Sequence, residues 1–274
     1  MNRIENLARL KAAATYNAAA DHFDAAPLSF WERHGRRAVE LLGLQAGWSV
    51  LDVGCGTGAS ALPAARAVGP EGRVLGIDVA ENMLARARTK AEAQGLCNVS
   101  FELADMSATG WPDASFDAVI GVFSVFFVPD TAAQVAELWR LLRPGGRLAV
   151  TVWAPDAFEP GASVFAEAAR PFLPDLDLSA RPWQRLTEPQ ALRRLLLESG
   201  TSEPAIHPVA DRQPLADPED WWSVALGSGF RGEIERLTPG QREQVRARCA
   251  QRLAELGADT MESSALHAIA EKPL

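Results

Sequence analysis

The sequence predicts an α/β fold: a parallel sheet with helices on both faces. Three observations carry this. Five short apolar runs rich in Val, Leu, Ile and Phe fall between Ser49 and Trp153. Helical patterns stand between them, so successive strands are joined by crossovers, and crossovers join parallel strands. A turn with glycine at every second position, Gly54, Gly56 and Gly58, separates the first run from the first of these helices.

Taken in order, the N-terminal stretch "MNRIENLARLKAAAT" has no apolar core of signal-peptide length. No run approaches the ~18 apolar residues of a membrane span. The first strand is "SVLDV" (49–53). Pro63 falls early in the helix after the glycines, either within its first turn or at a kink. The second strand is "RVLGID" (73–78), and the helix after Asp78 stops at Gly95, a natural residue just past a helix C-terminus. "VSFEL" (99–103) and "FDAVIGVF" (116–123) are the third and fourth strands. In "DTAAQVAELWRLL", Val135, Leu138, Trp139 and Leu142 recur at i, i+3, i+4 and i+7, which is one buried helical face. "RPGG" (143–146) reads as a turn before the fifth strand, "RLAVTVW" (147–153).

Past Trp153 the chain is richer in Pro and irregular, with a short helix expected around 163–172. Thr187 and Gln190 form a capping-box pattern for a helix that Gly200 closes. Asp217 and Pro218 open a helix carrying Trp221 and Trp222, and Thr238, Pro239 and Gln241 open another. The last strand is "ALHAIAEK" (265–272). The expected organisation is an N-terminal helical segment over 1–40 and one domain over 41–274, with helical additions near 154–185 and 217–258.

A chain of 274 residues that is 47% hydrophobic can bury the core of one large domain. The net charge of −8 argues against a nucleic-acid backbone, whose binding is built on clustered Lys and Arg, and favours a small, uncharged or cationic partner. Cys55, Cys97 and Cys249 are odd in number and widely spaced, with neither a disulfide framework nor zinc spacing. That fits a reducing cytosol and calls for no metal. The oligomeric state is open between monomer and homodimer.

A glycine-rich turn between a buried strand and a helix brings backbone N–H groups and a helix N-terminus up to a ligand. Two classes of protein use it. The dinucleotide fingerprint G-x-G-x-x-G/A is met loosely by Gly54, Gly56 and Ala59. "LDVGCGTG", with Asp52 followed by G-x-G-x-G, fits a second pattern better: it resembles the first motif of class I S-adenosylmethionine (SAM) dependent methyltransferases. Asp78 in "GIDVAENML" ends the second strand about 20 residues past the last glycine, where a carboxylate accepts ribose hydroxyls in either class. Asp105, after the third strand, discriminates between them, because only the methyltransferases use an acid there. "PDASFDAVI" and "LLRPGGRLAV" resemble the same family's later motifs. The resemblance is close over 45–153 and looser beyond, and is nearest to the ubiquinone/menaquinone C-methyltransferase-like (methyltransferase type 11) group.

The resemblance implies a Rossmann-like, seven-stranded, doubly wound sheet with the last strand antiparallel and helical lid insertions. It implies methyl transfer from SAM to O, N or C of a small molecule, leaving S-adenosylhomocysteine. Carried onto this chain, it assigns Asp52, Gly54, Cys55, Gly56 and Gly58 to the methionine end of the cofactor and Asp78 to the ribose. Val79 and Met83 lie against the adenine, Asp105 and the Met106 N–H meet its edge, and Gly121 lies in the fourth strand. Each acid also has a plainer reading: Asp52 and Asp78 as helix caps, Asp105 as a loop acid. No general base stands at the end of the fourth strand, where Phe126 and Phe127 occur. The catalytic candidates are His22 and the single tyrosine, Tyr16, in a segment that in similar enzymes folds over the cofactor. Aromatic residues in the lid-like segments, among them Phe23, Trp31 and Trp221, suit an apolar or aromatic acceptor. Two other readings are an NAD(P)-dependent oxidoreductase and a non-catalytic SAM-binding protein.

Overall fold

The chain opens with two helices, α1 (Arg3–Ala19) and α2 (Phe30–Leu42). In this computed structural model residues 3–179 and 181–274 are described, with side chains from residue 7. Met1 and Asn2 of the N-terminal segment, and Ala180 of the 154–185 addition, lie outside them. In α2 the residues Phe30, Trp31, His34, Ala38 and Leu42 fall on one face and are buried. Gly43 ends the helix in the left-handed conformation.

The strand–helix alternation follows. Strand β1 (Ser49–Val53) leads into α3 (Ala61–Val68), β2 (Arg73–Asp78) into α4 (Glu81–Ala93), and then come β3 (Val99–Leu103) and β4 (Phe116–Val122). After α5 (Thr131–Leu141) comes β5 (Leu142–Trp153). The C-terminal part holds α6 (Gly161–Ala169), α7 (Pro189–Glu198), β6 (Ala205–Val209), β7 (Arg212–Pro214), α8 (Asp220–Leu226), α9 (Arg231–Ile234), α10 (Pro239–Leu256), β8 (Thr260–Glu262) and β9 (Ala265–Glu271). The main sheet has the order β3-β2-β1-β4-β5-β9-β6, and β9 runs antiparallel to both its neighbours. A separate ribbon pairs β7 with β8.

Side chains alternate across this sheet, and each face has its own core. Val50, Val74, Ala118, Ile120 and Ala149 pack with residues of α2, α3 and α4. Leu51, Val53, Ile77, Val119, Leu148 and Val150 pack with α5, α7 and the C-terminal helices. Pro63 is the third residue of α3, in the first turn, where no intrahelical N–H is lost. The Thr238 capping box is present: Thr238 Oγ1 accepts from Gln241 N, and Gln241 Oε1 accepts from Thr238 N.

Several local expectations are corrected. "RPGG" is part of β5: the register shifts between Phe116 and Ala118, and Gly145, at φ +76°, lets the strand bulge and pair with Lys272. Leu142 therefore begins β5 and is not on the α5 face, and Trp139 is only partly buried. Thr187 does not cap α7; its hydroxyl turns back to the Gln184 carbonyl, because a short 3₁₀ turn leads directly into the helix, whose N-cap is Glu188. The helix with the two tryptophans starts at Asp220, and Asp217 instead accepts from the Glu219 N–H. Strand β4 stops at Val122, because Phe123 has φ +52°. Strands β6, β7 and β8 have no counterpart in the sequence reading.

Helix α2 crosses the start of α3 at Gly35. A Cβ at Gly35 would stand 2.4 Å from the Ala59 carbonyl oxygen and 2.5 Å from its carbon. In a free helix Gly→Ala adds about 1 kcal/mol of stability. Here the obstacle is backbone, so Gly35→Ala is expected to cost about 1–3 kcal/mol. The measurement is a thermal melt; an unchanged or raised Tm would refute this close approach of α2 to α3.

Candidate functional site

The site grows from the turn after β1. Gly54, Gly56 and Gly58 all have positive φ, at 64°, 54° and 88°, a region L-residues rarely enter. At Gly54 a Cβ would come within 2.5 Å of Ser124 Cβ, so the turn lies hard against the end of β4. At Gly56 an added Cβ would meet only the Phe23 ring, at 3.7 Å. Asp78, at the end of β2, ties this turn to the next helix. Its Oδ2 accepts from Gly56 N and its Oδ1 from Ala80 N, both at 2.9 Å. The N-cap residue of α4 is Ala80, not Asp78.

Asp52 is completely buried behind the turn. Its Oδ2 accepts from Ser60 Oγ at 2.7 Å, and its Oδ1 has no partner among the described residues. Burial pushes its pKa up to about 7, against the Ser60 hydrogen bond, which lowers it. Burial raises Asp78 as well, opposed by its backbone donors. Cys55 is buried and its thiol is pushed well up, first by burial and then by Asp52 and Asp78, so it is no thiolate.

A cavity opens over the turn. Gly54, Cys55, Gly56, Asp78, Val79, Met83 and Met106 line it, together with Tyr16, Phe23 and Trp31 from the N-terminal segment. Phe123, Ser124 and Phe127 close the side beyond β4. Asp52, Gly58, Gly121 and His22 are not in its wall. A Cβ at Gly121 would meet Val125 Cγ1 at 3.0 Å, so that glycine lets the 124–127 turn fold back on β4. His22 is partly exposed, with Nδ1 2.8 Å from Asp21 Oδ1. Asp105 lines an adjoining cavity that shares Val79, Met106 and Phe127 with the first. Its Oδ1 accepts from Ser107 N and Oγ, and Arg9 Nε lies 3.7 Å from Oδ2. Gln134 Nε2 donates to the Met106 carbonyl at 2.8 Å and fixes that loop.

Sequence reasoning missed Phe123 and Ser124, and missed Trp31 as a donor. The Phe123 ring stacks on Trp153 with centroids 3.8 Å apart, and a left-handed phenylalanine has no sequence signature. Trp31 stacks on Phe23 at 5.0 Å. Trp31 Nε1 and Ser124 Oγ are buried without hydrogen-bond partners among the described residues. Two orphaned polar groups in the wall of the cavity fit a ligand with a polar end. Burial pushes the Tyr16 hydroxyl upward, against Arg181, so at neutral pH Tyr16 donates and is no base. Tyr16 and Phe127 also line a further cavity, together with Leu178, Arg181 and Trp183.

The N-terminal segment is fastened to this frame by polar pairs. Asn82 donates two hydrogen bonds to Asn17, from its backbone N–H to Oδ1 and from Nδ2 to the carbonyl, and Asp24 accepts from Thr57 Oγ1 and Lys90 Nζ. Among the described residues no group of three or more His, Cys, Asp or Glu is arranged to hold a metal ion. None of their helices is long and apolar enough to cross a membrane.

Asp52 gives a signed pH dependence. A carboxyl whose folded pKa is raised adds stability that is complete below its unfolded value, near 3.8, and is lost as pH rises through about 7. Asp52→Asn removes this titration. In cofactor-free protein its Tm should therefore gain on the wild type as pH goes from 5 to 8. Melting curves that stay parallel across that range would show that Asp52 does not titrate there.

A family profile described as "Methyltransferase domain" matches residues 50–146. Aklanonic acid methyltransferase DauC of Streptomyces sp. (strain C5) is 38% identical over 159 residues, 58% of this chain and 68% of DauC. Nocamycin O-methyltransferase of Saccharothrix syringae is 42% identical over 129 residues, 47% of this chain and 46% of that one. Demethylmenaquinone methyltransferase of Listeria welshimeri is 40% identical over 114 residues, 42% of this chain and 48% of that one. The chain thus spans about half the length of the latter two. The crystal structure of YcgJ from Bacillus subtilis superposes with a TM-score of 0.59 at 18% identity, over 88% of this chain and 99% of YcgJ, and so shares the fold. These similarities displace both the oxidoreductase and the non-catalytic readings. With DauC matched over two thirds of its length, the chain belongs to the class I methyltransferases, enzymes whose methyl donor is SAM.

Proposed function

We propose that the chain methylates O, N or C of a small, apolar or aromatic acceptor that reaches the cofactor past Tyr16 and Phe127. One observation carries this reading: those two side chains line both the cavity over the glycine turn and the cavity beside it. The second cavity has Leu176, Leu178 and Trp183 in its wall, which suits a flat apolar guest. By their names, the relatives act on aklanonic acid, nocamycin and demethylmenaquinone, which supports a small-molecule acceptor. The three free cysteines support a reducing, cytosolic setting.

When bound, SAM supplies a sulfonium methyl whose transfer releases a neutral thioether. In our reading the Gly54–Gly56 backbone, Trp31 Nε1 and Ser124 Oγ hold its aminocarboxylate end. Asp78 has lone pairs left after its two backbone donors and accepts the ribose hydroxyls. Val79 and Met83 flank the adenine, and Asp105 and the Met106 N–H meet its edge. Asp52, Gly58 and Gly121 shape the turn without reaching the cavity. Among the described residues no histidine lines the cavity, and Tyr16 stays protonated. Positioning and exclusion of water therefore carry the transfer, on an acceptor that arrives nucleophilic. We further infer that the part of the segment over 1–40 up to Phe30 is a lid, released by opening the Asn17–Asn82 and Asp24–Thr57 pairs while α2 stays docked.

Titration calorimetry should show binding of SAM and S-adenosylhomocysteine but not of NAD or NADP. Asp78→Ala should weaken SAM binding by about 10- to 150-fold, the loss of charge-assisted hydrogen bonds. An unchanged Kd would leave Asp78 as a clasp of the turn only. For the lid, hydrogen exchange over residues 7–30 is expected to slow when S-adenosylhomocysteine is added. Equal, strong protection with and without it would mean a permanently docked helix.

A further inference from the structure

The second cavity contains a cation, Arg181, that no carboxylate of the described residues pairs with at salt-bridge distance. Arg181 comes from the irregular segment before α7 and lies between two aromatic rings. Its Cζ is 3.8 Å from the Phe230 centroid and 5.2 Å from that of Trp183. Its Nε is buried with no hydrogen-bond partner, and among the described residues no carboxylate comes within 4.0 Å of its guanidinium. The acids nearby are engaged elsewhere. Arg236 takes both oxygens of Asp175 at 2.6 Å, and Oε2 of Glu233 at 2.7 Å. Asp177 Oδ1 accepts from the backbone and hydroxyl of Ser179.

The cation lines the cavity assigned above to the acceptor. A Cβ built on Gly229 would lie 3.6 Å from Arg181 Nη1 and 3.8 Å from Tyr16 Oη, so the two head groups converge beside a residue that leaves the space open. Tyr16 is also in the wall of the cofactor cavity. Burial lowers the Arg181 pKa to about 10, opposed by Glu233, which still leaves it charged at neutral pH. A partly buried cation with aromatic faces and no directly paired carboxylate is a costly arrangement in the free protein. An incoming carboxylate would match its planar fork with paired, charge-assisted hydrogen bonds.

We propose that Arg181 is a specificity residue that recognises a carboxylate on an aromatic methyl acceptor, with the Tyr16 hydroxyl as a second donor. This rests on the reading that the second cavity holds the acceptor. It also revises the inference drawn from net charge: the chain is acidic overall, yet an arginine without a directly paired carboxylate stands in this wall. The stacking on Phe230 and Trp183 then holds the guanidinium in place, which lowers the side-chain entropy lost when a ligand binds.

The test uses the full chain saturated with S-adenosylhomocysteine, and calorimetric titration with benzoate, 2-naphthoate, anthracene-2-carboxylate and the three matching carboxamides. At least one carboxylate should bind about 10- to 100-fold more tightly than its amide. Arg181→Met, which keeps an apolar chain against Phe230, should abolish that preference and leave the S-adenosylhomocysteine Kd within about twofold of the wild type. Arg181→Lys should restore part of the preference. If carboxylates and amides bind alike, or Arg181→Met leaves the preference intact, Arg181 is only a stacking residue; the proposal is overturned while the acceptor cavity stands. If none of the six binds although S-adenosylhomocysteine does, the cavity reading and the proposal fall together and the cofactor site stands.

Discussion

The bond between Asp78 and the Gly56 amide sets most of the site. It joins the end of β2 to a turn that begins at the end of β1, and through Ala80 it reaches the start of α4. Three elements are thereby fixed around one carboxylate. The left-handed glycines allow the backbone amide to turn toward that acid, and Gly54 lets the whole turn press against Ser124. The constraint is steric and electrostatic at once, because burial raises both Asp78 and Asp52 while backbone and hydroxyl donors hold them down. An arrangement with two acids under stress beside a cavity is common where a ligand is bound.

A second constraint brings distant parts of the chain to the same place. Helix α2 carries Trp31 into the cavity wall, and the next turn of that helix is anchored to the C-terminal part of the chain. Arg33 forks onto Asp211 at 3.0 and 2.7 Å. His34 is buried, with Nε2 2.7 Å from the Ser263 carbonyl and Nδ1 3.2 Å from His267 Nε2. His267 in turn meets Thr151 Oγ1 at 3.0 Å, and burial drives its pKa down to about 3. Above this polar chain the rings of Trp31, Phe123 and Trp153 pack with centroids 3.8–5.6 Å apart. The cavity wall is therefore as rigid as the join between β5 and β9.

The central sheet was legible because its strands are short apolar runs, most of them buried, separated by helices with caps and stops. "SVLDV", "RVLGID" and "VSFEL" match β1, β2 and β3 residue for residue. The glycine turn was legible because only backbone demands such a pattern. The rest was hidden for physical reasons. Strand β6 is an edge strand with half-exposed residues, and its pairing partner β9 is far away in sequence. "RPGG" has the composition of a turn, and its pairing depends on Lys272, which also caps the Trp139 and Leu142 carbonyls through Nζ. Arg33 and Asp211 lie 178 positions apart, and no local pattern announces such a pair. Arg181 sits in a segment with no periodicity at all, so only the fold brings it to Tyr16.

The position of β9 has a consequence for synthesis. It fills the gap between β5 and β6, so β6 has no neighbour in the sheet until β9 has left the ribosome. Until then the β5 edge exposes a full row of unpaired backbone groups, next to the aromatic wall it helps to build. A nascent chain paused before β9 would present an open, apolar strand edge, the kind of surface that chaperones recognise and that other chains can pair with.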